Sequence, residues 1–216
     1  MRVIISLFAF VLACLPAAAQ TPRADNTPGA FDYYVLALSW SPSYCEAEGE
    51  KADRRQCSSG RPYAFVVHGL WPQYERGWPE FCPSDDRWAS RREIDAMLDI
   101  MPDRGLVIHQ WKKHGTCSGL TQRGYFDRTR AAFGRINIPD EFRALENYRM
   151  TSPADIEKAF IDKNPGLAAD MIAVTCDNRR LREVQICFDR QLGFRACPAV
   201  DRRACRNDRI AMPPVR

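Results

Sequence analysis

YAFVVHGLWPQ (residues 63–73) begins with a run, Tyr63 to His68, that is apolar on both faces and bounded by a glycine. Such a run reads as a central strand that ends at His68 and turns at Gly69. The pattern can be followed outward in both directions. Tyr33 to Trp40 is aromatic and β-branched, which predicts a first strand. Arg87 to Met101 has Ile94, Met97, Leu98 and Met101 on one stripe and predicts a helix. Val107 to His114 predicts a short helix stopped by Gly115. Ser152, with Asp155 three residues on, predicts the N-terminus of another helix ending before Pro165-Gly166. Ile172 to Thr175 and Val184 to Phe188 read as closing strands. No internal repeat and no second domain is visible. The expected class is α+β.

The chain has three histidines in 216 residues, and they occupy two short segments. His68 lies in FVVHGLWPQ (residues 65–73); His109 and His114 lie in IHQWKKHGTC (residues 108–117). A lone histidine is more often structural, but this clustering favours function. Imidazole can give or take a proton near neutrality. On a helical wheel at about 100° per residue, with His109 at zero, Lys113 falls near 40°, Gln110 near 100° and His114 near 140°. Val107, Trp111 and Ile108 follow at about 160°, 200° and 260°, and Lys112 at about 300°. A polar arc of His-Lys-Gln-His is thus anchored by an apolar one. An ordinary solvated face is the bland alternative, but such faces seldom carry two histidines. Trp71, Tyr74, Trp78 and Phe81 follow His68 without helical or strand period. They suggest stacking platforms for unpaired bases, loop packing being the competing explanation. Trp71, Gln73, Tyr74, Trp78 and Trp40 are the candidate substrate contacts.

Residues 1–19 have the form of a secretory signal peptide. Arg2 precedes an apolar run from Val3 to Leu15, and Ala17-Ala18-Ala19 stands before Gln20. Val11-Leu12-Ala13-Cys14 also resembles a lipoprotein cleavage site, which would place a lipid on Cys14. Signal removal leaves residues 20–216 as one domain, with 20–30 as a flexible lead-in. A periplasmic or secreted, monomeric protein without a membrane contact is expected. Of nine cysteines, Cys14 leaves with the signal. The remaining even number in an exported chain reads as disulfides, since no Cys-x-x-Cys suggests zinc. A net charge of +4 is too mild to argue for nucleic acid by itself. From Cys176 onward, however, arginines outnumber acids two to one.

HGLWP and H-x-W-x-K-H-G-T-C resemble the two signature segments of the ribonuclease T2 family, and LSWSPSYC (residues 38–45) resembles its first strand and following cysteine. The resemblance implies an α+β fold around a central antiparallel sheet. It also implies endonucleolytic transphosphorylation of single-stranded RNA, but not DNA, through a 2′,3′-cyclic phosphate to 3′-phosphate ends, without cofactor or metal. It implies His114 as the base, His68 as the acid, Lys113 as stabiliser of the phosphorane charge and His109 as a phosphate contact. The implied disulfides are Cys45–Cys57, Cys82–Cys117, Cys176–Cys205 and Cys187–Cys197. Two departures stand out. The family usually has glutamate where this chain has Gln110, and many relatives have an acid at the position of Gln73, which leaves base preference open. Two rival functions are a metal-dependent hydrolase and a catalytically inert RNA-binding relative. The first is disfavoured because His109 and His114 lie five apart rather than at i, i+4.

Overall fold

The computed structural model describes residues 26–216; the signal peptide, Cys14 and residues 20–25 lie outside them. In chain order the elements are β1 (Tyr33–Trp40), α1 (Ser41–Glu48), α2 (Arg54–Cys57), β2 (Phe65–Gln73), α3 (Arg91–Asp95), α4 (Arg104–Lys113), α5 (Gln122–Gly134), β3 (Arg149–Thr151), α6 (Pro153–Lys163), β4 (Ile172–Cys176), β5 (Leu181–Phe188), α7 (Pro198–Asp201) and β6 (Ile210–Met212). A four-stranded sheet runs in the order β2-β1-β5-β4, and β3 pairs with β6 in a small second sheet. Every strand pairing within these two sheets is antiparallel, so the architecture is α+β with a central antiparallel sheet.

β1 is bonded on both edges, and helices cover one of its faces, so its sequence is apolar almost throughout. Tyr34, Leu36, Leu38 and Trp40 point into the main core with Val67, Leu70, Val174, Val184 and Ile186. Met97, Met101, Val107, Trp111, Phe126, Ile156 and Phe160 close that core from the helical side. The opposite face is shallower: Tyr33, Val35, Ala173, Cys187 and Val200 make a small second cluster. The rest of that face is left for the cleft described below.

The helices start where capping side chains satisfy their first amides. Asp103 accepts from Gly105 and Leu106 at the head of α4. Ser152 accepts from the Asp155 amide at the head of α6 and donates its hydroxyl to the Asp155 carboxylate. α3 is much shorter than the Arg87–Met101 helix expected from its stripe. Ser90 caps it, and beyond Asp95 the chain continues in turns with i−3 bonds such as Met97 N–H to Ile94 O at 3.0 Å. Three of the four stripe residues, Ile94, Met97 and Met101, are buried, because tight turns still bring them to the core, while Leu98 is only half-buried against it. α1 and α5 are helices that the sequence reading did not mark.

The four disulfides are Cys45–Cys57, Cys82–Cys117, Cys176–Cys205 and Cys187–Cys197, the pairing the resemblance implied. The lead-in departs from expectation. Within residues 26–30, Gly29 N–H donates to Cys117 O at 2.9 Å, and Asn26 Oδ1 accepts from Glu80 N–H at 3.1 Å. This part of the segment is pinned to the end of the α4 region rather than free.

Candidate active site

β2 does not turn at Gly69; it pairs with β1 as far as Gln73. The apparent end at His68 is a β-bulge. Ala37 pairs with Gly69 and Leu38 with Val67, which leaves His68 as the extra residue. The bulge has a geometric consequence. In a regular strand, residues 68 and 71 point to opposite faces. Here Val67 and Leu70 both enter the core, while His68, Trp71 and Gln73 all line one cleft on the other face. Bulge and helix together account for the constellation. α4 brings His109, Gln110, Lys113 and His114 to the same cleft of about 540 Å³.

The aromatic ring of Trp71 organises the site. His114 lies against it with ring centroids 5.4 Å apart and an interplanar angle of 28°, while His68 meets it edge-on at 5.4 Å. The indole N–H donates to Gln110 Oε1 at 2.8 Å. Gln110 therefore spends its oxygen on Trp71, locking β2 to α4, rather than on His114. Gly69 makes this possible. A Cβ there would sit 2.1 Å from Gln110 Oε1 and 2.5 Å from Trp71 Nε1. Gly69→Ala should therefore cost about 1–3 kcal/mol by overpacking and displace the indole from His114. Thermal unfolding together with kcat/KM checks this, and a variant unchanged in both would mean that the contact is slack. Gly115 is close-packed in a similar way, since a Cβ there would lie 2.3 Å from Trp111 Cε3, and it is not the left-handed stop of α4, because its φ is not positive. The first left-handed glycine after α4 is Gly119, φ +71°.

The histidines sit in contrasting environments. His114 is only 6% exposed. Burial first, then the charges of Lys113, His68 and His109, push its imidazole down to about 2, so it is neutral at ordinary pH. Its Nδ1 is enclosed without a hydrogen-bond partner among the described residues, which leaves Nε2 for the cleft. His68 Nδ1 is bonded to the Glu183 carboxylate. Glu183 also accepts from Gln185 Nε2 at 2.8 Å. Burial would raise the Glu183 carboxyl, but the hydrogen bond and charge of His68, with Gln185 and Arg182, hold it below the usual carboxylate range. Glu183 is thus the counter-ion available to a His68 imidazolium, with His68 Nε2 left for substrate. His109 is exposed and is also pushed down, by burial first and then by Lys113, His68 and Lys112. Lys113 Nζ is 3.5 Å from Glu80 Oε2. Among the described residues, no group of three or more His, Cys, Asp or Glu side chains is arranged to hold a metal ion.

Two of the candidate substrate contacts are corrected. Trp40 is fully buried in the main core and donates its indole N–H to Pro213 O at 3.0 Å. Tyr74 is also a core residue. Both lie on the inward face that strand alternation assigns to even positions of β1 and, past the bulge, of the chain after β2. Trp71, Gln73 and Trp78 do line the cleft, and Arg203 lies 5.0 Å over the Trp78 ring. The amide nitrogen of Gln73 donates to Pro72 O at 3.0 Å. Glu183, Gln185, Arg182 and Arg203 were missed by the sequence reading. For Glu183 and Gln185 the signal is the alternation in LREVQICF (residues 181–188), in which they share the face opposite Val184 and Ile186; for Arg182 and Arg203 it is only the arginine excess after Cys176.

Comparison with known proteins gives a consistent answer. The model of the "Ribonuclease T2 family" matches residues 31–197. A ribonuclease of Aeromonas hydrophila is 42% identical over 130 residues, 58% of this chain and 54% of that protein. A probable ribonuclease of Haemophilus influenzae is 33% identical over 54% of this chain and 47% of its own length; the chain thus spans about half the length of these two bacterial relatives. Ribonuclease 3 of Arabidopsis thaliana is 28% identical over 95% of this chain and 98% of its own length. Among solved structures, an RNase-related protein from Calystegia sepium superposes with a TM-score of 0.68 over 86% of this chain and 98% of its own, at 23% identity. That likeness speaks to the fold alone. With the family match covering both histidine segments and seven of the eight paired cysteines, this chain belongs to the ribonuclease T2 family.

Proposed function

We propose that the chain is an endoribonuclease that cuts single-stranded RNA by transphosphorylation, using His114 as general base and His68 as general acid. The observation that carries this reading is the pair of histidines that both meet the Trp71 ring, one enclosed and the other bonded to a carboxylate. In-line displacement at phosphorus needs one proton removed and one delivered on opposite sides. His114 Nε2 takes the proton of the ribose 2′-OH as the 2′-oxygen attacks phosphorus. His68 Nε2 gives its proton to the 5′-oxygen as the P–O5′ bond breaks. The products are a 2′,3′-cyclic phosphate and a free 5′-OH. Water then opens the ring with the two histidines in exchanged roles, leaving a 3′-phosphate. Lys113 supplies positive charge as the phosphorane gains negative charge, and His109 contacts the phosphate. Trp71, Gln73 and Trp78 form the adjoining base site. Residues 20–216 make a single monomeric domain, exported to the periplasm or beyond by residues 1–19.

The test is to incubate purified mature protein with RNA and with DNA, with and without EDTA, and to analyse product ends. RNA should be cut to 3′-phosphate ends in both conditions and DNA left intact, since the nucleophile is the 2′-OH that DNA lacks. Activity lost in chelator and restored by zinc or magnesium would instead establish metal-dependent hydrolysis. An absence of any cleavage would leave an RNA-binding relative.

A further inference from the structure

The loop after β2 carries two large apolar side chains outside the cleft: Phe81, 57% exposed, and Trp88, 71% exposed. The backbone beneath them is firmly held. Cys82 is bridged to Cys117, and Phe81 N–H donates to Lys113 O at 2.9 Å. Asp86 O accepts from Trp111 Nε1, and Trp88 O accepts from Gln122 Nε2, both at 2.8 Å. Phe81 also adopts φ +51°, a left-handed conformation that is costly for a bulky residue and tends to persist where function requires it. A fixed backbone thus presents its rings to water.

These rings are not isolated. Lys112 Nζ lies 3.5 Å from the centroid of the Trp88 ring. Phe81, Cys82, Arg87, Trp88, Lys112 and Thr116 line a hollow of about 250 Å³. The hollow adjoins the catalytic cleft: Phe81 meets the His109 ring edge-on at 6.4 Å, and Lys112 lies about 60° around α4 from His109. The nearby Glu80 carboxylate is taken up by Lys113.

We propose that this hollow is an extended nucleotide subsite, distinct from the site beside Trp71, that holds a nucleotide of the RNA strand beyond the two joined at the scissile phosphate. A base stacks on Phe81 or Trp88, and its phosphate meets Lys112 and Arg87. Exposed aromatic faces beside cations are what an unpaired, charged strand requires. A stable protein interface buries roughly 800 Å² per partner, far more than two rings supply. The proposal rests on the ribonuclease reading and deepens it.

Trp88→Ala and Lys112→Ala test it, because neither side chain belongs to the catalytic cleft. For Trp88→Ala, kcat/KM on a long mixed-sequence oligoribonucleotide should fall roughly five- to a hundredfold, the range for one lost stacking contact. On a dinucleoside monophosphate, too short to reach the hollow, it should be unchanged. Affinity for uncleavable single-stranded DNA of the same length should weaken by a similar factor. Lys112→Ala should lower the salt dependence of that binding by about one phosphate contact. Equal losses on long and short substrates, or unchanged DNA affinity, would overturn the subsite. A wild-type protein that cleaves no RNA would sink the ribonuclease reading instead, while DNA binding would still report on the hollow.

Discussion

Replacing either His68 or His114 with alanine is expected to lower kcat/KM on RNA by at least about a hundredfold, the lower end of what a positioned acid or base supplies. The double variant should be little worse than either single one. Base and acid act in one concerted displacement, so once one is gone the other has little left to assist. The two substitutions carry different structural risks. His114→Ala empties the space against Trp71 and frees the indole on which the site is built. His114→Phe is the better probe, because a ring still fills that space but can accept no proton. His68→Ala leaves the Glu183 carboxylate without the ring that bonds it, and unpaired buried charges destabilise. His68→Gln retains a donor to that carboxylate. Initial-rate kinetics on all five variants, with near-ultraviolet circular dichroism to establish the fold, decide the matter. Near-normal rates in a folded His114→Phe or His68→Gln protein would demote that histidine to a structural role.

The sequence was most legible where one physical effect dominates. β1 could be read because aromatic and β-branched residues favour a buried strand, and the polar arc of α4 could be read because helical spacing is regular. The reading failed where the structure departs from regularity. Nothing in FVVHGLWPQ announces a bulge at His68, since the run reads equally well as a strand that stops there. Ending the strand at His68 left Tyr74 among aperiodic loop aromatics, whereas β2 runs to Gln73 and Tyr74 faces the core. Trp40 failed for a related reason: a tryptophan at a strand end can face either way, and its partner, Pro213 O, lies 173 residues away. Glu183 was invisible for the same reason of distance, being 115 residues from His68. α5 carries its signal in Tyr125, Phe126, Thr129 and Ala132, which are buried, but the interleaved arginines obscure it. The role of Gln110 was only half legible. The wheel places it on the correct face, but its hydrogen bond to Trp71 depends on a neighbour from β2.

Gln110→Glu should raise the pH at which activity is lost on the acid side, by up to roughly one to three pH units, the range over which an adjacent opposite charge shifts a titration. In the native protein, burial and the surrounding cations hold His114 down at about 2. The base is therefore already neutral across the working range, and its own protonation limits kcat/KM only in strong acid. Residues 110 and 114 are one helical turn apart, with His114 N–H bonded to Gln110 O at 3.0 Å. A glutamate could keep the bond from Trp71 Nε1, because that bond uses only the side-chain oxygen. It would add a buried negative charge beside the imidazole. The carboxyl and the imidazole would then titrate as a pair, sharing a proton that the native site does not bind. The direction is nevertheless fixed. The variant makes available an ion pair of carboxylate and imidazolium, and in that state His114 cannot accept a proton. Stability gives an independent check. A buried histidine whose folded pKa lies below its unfolded value of about 6.5 stabilises the native state above that pH. It loses this contribution as pH falls towards 2. The variant lessens the His114 share of this loss, because its folded imidazole can be charged. Acid-limb profiles of kcat/KM for both proteins decide the question: superimposable limbs would mean that residue 110 does not sense the protonation of His114.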